Sequence, residues 1–411
     1  MFTKEFAKKV RNILKLSKSK IPDFDSIFVT PSFTFMSDLD NYIVLENAND
    51  EKKIGAICLN KYIKTGDFNN AFFIPNKINN IQPLKNNRLI CGVPLDLVNA
   101  IDSSYCVFCY NDETRGSLCN VVYDPEFGLI ATNGVIAKFR RDLISKTEIP
   151  FTLSQVAVGL LDATRKEYGE GQKAALIISE GNTVFLCVEF RFNFNTICKL
   201  FLKVEQEIYN VTKESVEYTG IGIAEYSKIF CKKTGELEIH NTEVLKKAII
   251  HLNNFSETKE ANIGVTKNIC YLKKENYAVK LPFDISTINI GFSYKNLLII
   301  LNQIVGPCSV KYTTYRRDVI FKQGVIEWLI MPVCYLNENK ECGSWPDINE
   351  EYRFIEAPES KQSKQSKQSK QSKQPKKFDF LTLLDSYIKQ YGDISLSSLH
   401  CYLKGDISDL L

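Results

Sequence analysis

Histidine is almost missing from this chain. His240, His251 and His400 are the only three in 411 residues, and none sits in a nucleophile or metal-ligand pattern, so imidazole catalysis and histidine-ligated metals have no foundation. Nor do about eighteen apolar residues run together anywhere, which excludes an ordinary transmembrane helix. The N-terminus, Met1 to Lys20, is basic and amphipathic without the apolar block and small-residue cleavage site of a signal peptide. A cytoplasmic protein is expected. Cysteine is present, thirteen times, but without a framework spacing; in a reducing compartment these are expected as small buried residues, without disulfides.

Other catalytic signatures are lacking too. Cys106-Val107-Phe108-Cys109 has the spacing of half a zinc site, with Cys91 and Cys119 near in sequence, yet no second CxxC exists and the pair straddles a strand-like apolar run. Buried thiols are the preferred reading. Gly169-Glu170-Gly171-Gln172-Lys173 lacks the spacing and the Ser/Thr of a phosphate loop. Asp38 and Asp40 fall on one face of an expected strand, with no further carboxylates to make a two-metal nuclease. No catalytic residue, metal ligand or cofactor is assigned.

What is there is a large apolar fraction, 44%, enough for a sizeable core and for two to four domains. The net charge of +4 conceals an asymmetry: the stretch from Lys361 to Lys377 holds seven lysines and no acid, which leaves the remainder at about −3. Contact with nucleic acid must then come from local basic faces. One such face is clear. Phe6, Val10, Ile13 and Leu14 line one side of a helix whose other side carries Lys4, Lys8, Lys9, Arg11, Lys15 and Lys18, opposed only by Glu5. These cations repel one another unless something anionic neutralises them.

The stretch from Ile288 to Leu336 reads as strand, helix and three strands. Ile288, Ile290 and Phe292 alternate; Leu297, Leu298, Leu301 and Ile304 recur at helical spacing up to Gly306-Pro307; β-rich runs follow at Cys308 to Thr314, Asp318 to Phe321 and Val325 to Val333. The same βαβββ order recurs upstream. Ser26 to Phe35, Asn41 to Glu46 and Ile54 to Tyr62 follow the first helix as strands. A second copy is expected to start at Ala71 to Ile74, with a helix through Ile78 and Ile81 cut short by Pro83. The third has a strand over Arg88 to Gly92, a helix over Pro94 to Ser103, and strands at Tyr105 to Tyr110, Ser117 to Tyr123 and Gly128 to Phe139. The fourth begins at Ile149, with a helix over Val156, Leu160, Leu161 and Ala163 and strands at Ala174 to Ser179 and Thr183 to Phe192. The fifth begins at Leu237, with a helix over Val244 to Leu252 and strands at Asn262 to Val265, Ile269 to Lys273 and Tyr277 to Leu281. Units of roughly fifty to sixty residues, each with a helix and a small sheet, must pair to bury both. The competing reading is a set of unrelated α+β domains. After Leu336 the composition turns polar, and the repeated Ser-Lys-Gln reads as a disordered tether before an apolar-periodic segment from Phe378.

These residues resemble the bacterial-type DNA polymerase sliding clamp, the beta subunit or processivity factor. Ile290-Gly291-Phe292, the Leu-rich helix after Tyr294, and Leu329-Ile330-Met331-Pro332-Val333-Cys334 are similar to that family's last unit, with its closing Met-Pro-Met-Arg-Leu. Ala131-Thr132-Asn133-Gly134-Val135-Ile136-Ala137 is similar to its Ala-Thr-Asp-Gly-His-Arg-Leu-Ala strand, and Ser37-Asp38-Leu39-Asp40 to its Thr-Asp-Leu-Glu. The resemblance covers Phe2 to Leu336 and points to a divergent phage or plasmid member. It implies an α+β DNA clamp fold, with repeated βαβββ units paired into three domains forming a ring, followed by a disordered linker and a small helical C-terminal segment. The expected limits are 1–86 for an abbreviated first domain, 87–232 and 233–337 for the next two, 338–377 for the linker and 378–411 for the tail.

The implied function is to encircle double-stranded DNA without reading its sequence and to tether a DNA polymerase, with a clamp loader as further partner and a homodimer ring as assembly. A clamp-like transcription coactivator or DNA-tethering scaffold is the alternative, and a metal-dependent nuclease a second. By resemblance the DNA face would carry Lys8, Lys9, Arg11, Lys15, Arg165, Lys166, Lys246, Lys247 and Lys295. A partner-peptide groove would be walled by Leu118, Thr132, Gly134, Val135 and Ile136 on one side and Leu329, Met331, Pro332, Val333 and Cys334 on the other. Gln374 to Leu381 is loosely similar to clamp-binding peptides, which makes the tail a candidate occupant of that groove.

Overall fold

A computed structural model describes residues 2–14, 26–46, 54–73, 87–110, 118–179, 181–193, 196–204, 209–211, 216–218, 235–258, 261–272, 274–312, 318–333, 335–336, 342–343 and 352–356. Helix α1 (Lys4–Leu14) turns Phe6, Ala7 and Val10 into the core and leaves Lys8 and Lys9 exposed. Strands β1 (Ser26–Val29), β2 (Phe33–Ser37) and β3 (Asn41–Glu46) follow. The single strand expected over Ser26 to Phe35 is thus a hairpin. Thr30 breaks it, its hydroxyl donating to the Phe33 carbonyl at 2.8 Å. The Asp38 carboxylate makes the next turn, accepting from the Asp40 and Asn41 amides at 3.1 and 2.6 Å with Leu39 at φ 72°. Asp38 and Asp40 therefore belong to a turn and not to a strand face, because an Asx side chain competes with the ladder for backbone donors.

The second unit begins earlier than the expected Ala71. Strand β4 (Gly55–Cys58) leads directly into α2 (Leu59–Thr65), so Tyr62 lies on a helix, followed by α3 (Phe68–Ala71) and the short β5 (Phe72–Phe73). Asp67 caps α3 by accepting from the Asn69 and Asn70 amides. Ile78 and Ile81 lie outside the described residues. The third unit comprises β6 (Arg88–Gly92), α4 (Leu95–Ala100), β7 (Asn120–Asp124), β8 (Gly128–Thr132) and β9 (Ile136–Arg140). Its expected strand over Tyr105 to Tyr110 is replaced by a 3-10 turn at Cys106–Phe108. Asp102 nucleates that turn, accepting from the Ser104 amide on its side chain and the Tyr105 amide on its carbonyl. The long strand expected from Gly128 splits at Asn133-Gly134, where the Asn133 side chain accepts from the Val135 and Ile136 amides and Gly134 takes φ 86°.

The fourth unit has β10 (Phe151–Ser154), α5 (Gln155–Tyr168), β11 (Lys173–Ile178), β12 (Val184–Asn193) and β13 (Thr196–Lys203), then a small hairpin of β14 (Tyr209–Val211) and β15 (Val216–Tyr218). The fifth has β16 (Gly235–Ile239), α6 (Thr242–Asn253), β17 (Asn262–Lys267), β18 (Ile269–Leu272) and β19 (Tyr277–Lys280). The sixth has β20 (Ser286–Ser293), α7 (Tyr294–Leu301), β21 (Cys308–Tyr312), β22 (Val319–Gln323) and β23 (Ile326–Ile330). Beyond it lie β24 (Tyr335–Leu336), β25 (Cys342–Gly343) and β26 (Arg353–Ile355).

Units pair by exchanging first strands. β6 joins β11, β12 and β13, while β10 joins β7, β8 and β9; β16 joins β21 to β23, while β20 joins β17 to β19; β4 joins β1 to β3. The exchange ties units three and four, and units five and six, each into one body, because neither sheet is complete without the other unit's strand; among the described residues units one and two are joined one way only, by β4 and β5 on the β1–β3 sheet. Two antiparallel junctions, β3 on β13 and β9 on β23, then fuse the pairs into a nine-stranded and an eight-stranded sheet. Helices pack on the sheets and on one another. Helix α1 lies on α5, where Gly159 admits Ile13: a Cβ at position 159 would stand only 3.3 Å from the Ile13 Cγ2. Helix α6 lies on α7, burying Leu245, Ala248, Ile249 and Leu252 against Leu297, Ile300 and Leu301. The linker 338–377 is described only at β25 and 352–356; its Ser-Lys-Gln repeats and the segment 378–411 lie outside the described residues.

Candidate partner groove and nucleic-acid face

The two expected groove walls meet across the β9–β23 junction. Ile136 stands opposite Ile330 and Ala137 opposite Leu329, and just past the ladder the Met331 amide donates to the Val135 carbonyl at 2.8 Å. The β8–β9 turn is held from within: the Thr132 hydroxyl donates to the Ile136 carbonyl at 2.8 Å and accepts from the Gly134 amide at 3.0 Å. Val135 and Met331 are left side by side and exposed, at 43% and 38%. Leu118 flanks the turn, its Cδ1 4.0 Å from where a Cβ on Gly134 would sit. Pro332 and Val333 are half-buried, and the Val333 amide is anchored on the Gly291 carbonyl at 2.8 Å.

The predicted residues therefore divide. Val135, Met331 and Gly134 are exposed and Leu118, Pro332 and Val333 half-buried, whereas Thr132, Ile136 and Leu329 are buried and hold the walls in place. Leu329 packs into a small cluster with Val122, Ile130, Ala137, Phe139 and Ile320. Cys334 lies outside the described residues. An exposed Val–Met pair over a paired, buried sheet suits the apolar side chains of a short peptide.

Sequence reasoning missed what locks the junction. Lys138 is buried on β9 opposite Trp328, with its ammonium 4.2 Å over the Tyr105 ring and hydrogen-bonded to the Ser104 hydroxyl. Gln303 bridges to it from the sixth unit, donating to the Ser104 carbonyl at 3.0 Å and accepting from the Trp328 indole at 3.3 Å. Burial holds the Lys138 ammonium below the usual lysine range, with nearby Asp102 acting against that shift. Nothing in the alternation of β9 marks Lys138 as inward-facing.

The basic residues are not equivalent. Lys8 and Lys9 are exposed on α1, and Lys295 is exposed on α7; Arg11 and Lys247 are half-buried. Lys166 pairs with Asp162 at 2.9 Å and Lys246 with Glu243 at 3.8 Å, both on their own helices. Arg165 is turned inward: its guanidinium donates to the Val98, Asn99 and Ile101 carbonyls at 3.0, 3.2 and 2.8 Å, closing the end of α4. Burial is the main influence on that group and pulls its pKa down. Lys15 lies outside the described residues.

The nine described cysteines are free thiols, with Cys109, Cys198, Cys270 and Cys308 buried. Burial pushes Cys106 up to about 12. Among the described residues no three His, Cys, Asp or Glu side chains converge on a point that a metal could occupy. A separate open pocket of about 810 Å³ lies on the nine-stranded sheet, lined by Phe33, Val44, Leu89, Ile177 and Phe201, and shares no residue with the groove.

No protein-family model and no curated protein matches the chain by sequence. Solved structures do match. Caulobacter crescentus pol III beta aligns at 14% identity over 80% of this chain and 97% of its own, with a TM-score of 0.58. The DNA polymerase III beta chain of Streptococcus pneumoniae aligns at 11% over 80% and 98%, TM-score 0.58. The DNA polymerase sliding clamp of Bacillus subtilis aligns at 15% over 80% and 97%, TM-score 0.56. Likeness at such identities establishes architecture: this chain has the α+β fold of those clamps, along nearly their whole length.

Proposed function

We propose that this chain is a divergent sliding clamp, which holds duplex DNA without reading its sequence and tethers a DNA polymerase through a peptide seated beside Val135 and Met331. The carrying observation is the six-unit order with exchanged first strands, matched over 97% of the Caulobacter crescentus protein's length. On this reading the paired units are domains with limits near 1–86, 87–232 and 233–337. The exposed lysines of the helical layer, Lys8, Lys9, Lys166 and Lys295, with Lys246 and Lys247 beside them, touch phosphates only, so the protein slides. Two subunits joined head to tail close the ring in the cytoplasm, a loader opens it, and the chain performs no reaction of its own.

The test is topological. The protein is loaded on nicked circular duplex, either by a loader or at high concentration, and the circle is then cut once. Retention on the circle, rapid loss after linearisation, and absence of Mg²⁺-dependent cleavage are expected. Retention indifferent to DNA ends would overturn encirclement, and Mg²⁺-dependent strand scission would favour a nuclease.

A further inference from the structure

Both junctions inside the chain follow one rule. The last strand of one unit meets the last strand of another, antiparallel, over five residue pairs each time: β3 on β13 and β9 on β23. Unit one thereby joins unit four, and unit three joins unit six. The rule's next step joins unit five to unit two of a neighbouring copy, and the strand it requires to be open is β19.

That edge is occupied. β26 runs parallel to β19, with Tyr277 opposite Arg353, Ala278 opposite Phe354 and Val279 opposite Ile355. The Arg353 amide donates to the Asn276 carbonyl at 2.7 Å. Tyr352 anchors the segment: it is buried, its ring edge-on to Tyr271 at 5.4 Å and 89°, in a small cluster with Ala278, Ile269 and Val333. An uncovered strand edge is a row of unpaired donors and acceptors that recruits other strands, and a covering strand removes it.

We propose that residues 352–355 are a removable cap on the subunit-joining edge: while seated they keep a second copy off β19, and their release promotes self-association. The cap is read from the pairing itself; its meaning for ring closure rests on the clamp reading above. Its weakness relative to the junctions supports a removable role. It has three parallel pairs against five antiparallel ones, and parallel pairing is slightly less stable per residue. Arg353 and Phe354 are exposed, which leaves two apolar anchors, buried Tyr352 and half-buried Ile355, the latter packed against the main core. The mating side is also reduced: among its described residues unit two offers only β4 and the two-residue β5 as strands. A short cap can therefore tip the balance toward the unjoined subunit.

The experiment compares the full-length chain with Arg353→Pro, which deletes the amide bonded to Asn276, and with Tyr352→Ala, which loosens the anchor but spares the ladder. Sedimentation across the micromolar range is run beside hydrogen exchange over β19 and thermal melts that verify folding. Self-association stronger by about tenfold in Arg353→Pro, with a smaller gain in Tyr352→Ala and, at concentrations low enough to keep the variants monomeric, faster exchange over β19 in both, is the expected result. Wild-type association in two folded variants, or unchanged protection of β19 in both as monomers, would overturn the cap. Neither DNA nor polymerase is present, so a failed clamp reading and a failed cap give separable results.

Discussion

Arg165 and Lys8 are both cations on helices, yet their surroundings assign them opposite work. Lys8 is exposed on α1. Arg165 satisfies three carbonyls at the end of α4 and so ties α5 to its neighbour. Helix ends leave their last carbonyls without intrahelical partners, and a planar guanidinium reaches several at once. Replacing Arg165 by Met keeps much of the apolar stem and deletes every one of these bonds. A loss of about 2 to 3 kcal/mol is expected, because hydrogen bonds to a charged group are the stronger kind and the abandoned carbonyls are partly buried. Urea denaturation measures it; a loss within about 0.5 kcal/mol, typical of an ordinary surface substitution, would show that the three bonds contribute little.

At the scale of the element, the β9–β23 junction separates a buried scaffold from an exposed apolar pair. Met331 is exposed at 38% just beyond the ladder, whereas its neighbour Ile330 is wholly buried. Met331→Asp should thus weaken a polymerase-derived peptide by at least about tenfold, by placing a charge where an apolar anchor docks, and leave the melting temperature near wild type. Titration of a fluorescent peptide with both proteins reads this directly. The breaks beside the candidate groove are not read from the sequence: strands are expected to run through Asn133-Gly134 and Met331-Pro332, although both pairs are local punctuation, and the wall residues come from the family resemblance. The sixth unit was legible: its alternation and helical spacing are bounded by Gly306-Pro307. The first two units were not. The Thr30 and Asp38 turns lie inside stretches of continuous β-rich composition, and β4 passes into α2 without a breaker. The fit of Lys138 over the Tyr105 ring, opposite Trp328, was invisible because its partners come from residues far away in the chain, and alternation carries no information about them.

For the whole molecule the governing quantity is where charge lies, since away from the lysine-rich repeat the chain carries about −3. A body of that charge repels a phosphate backbone on average, so association depends on local faces such as the α1 surface with Lys8 and Lys9. Each phosphate contact releases counterions, so the logarithm of the binding constant falls with the logarithm of salt by about 0.9 per contact. Replacing Lys8 and Lys9 together by Ala should therefore make the slope shallower by about two, equally for duplexes of unrelated sequence, because phosphate contacts carry no base information. Both residues are exposed, so stability should stay close to wild type. Arg165→Met is the complementary control: it should lower stability and leave the slope alone, since its guanidinium is already bonded within the protein. Fluorescence anisotropy of a short duplex over a salt series provides the measurement. An unchanged slope in the double variant would remove α1 from the DNA path, and a shallower slope in Arg165→Met would return that residue to it.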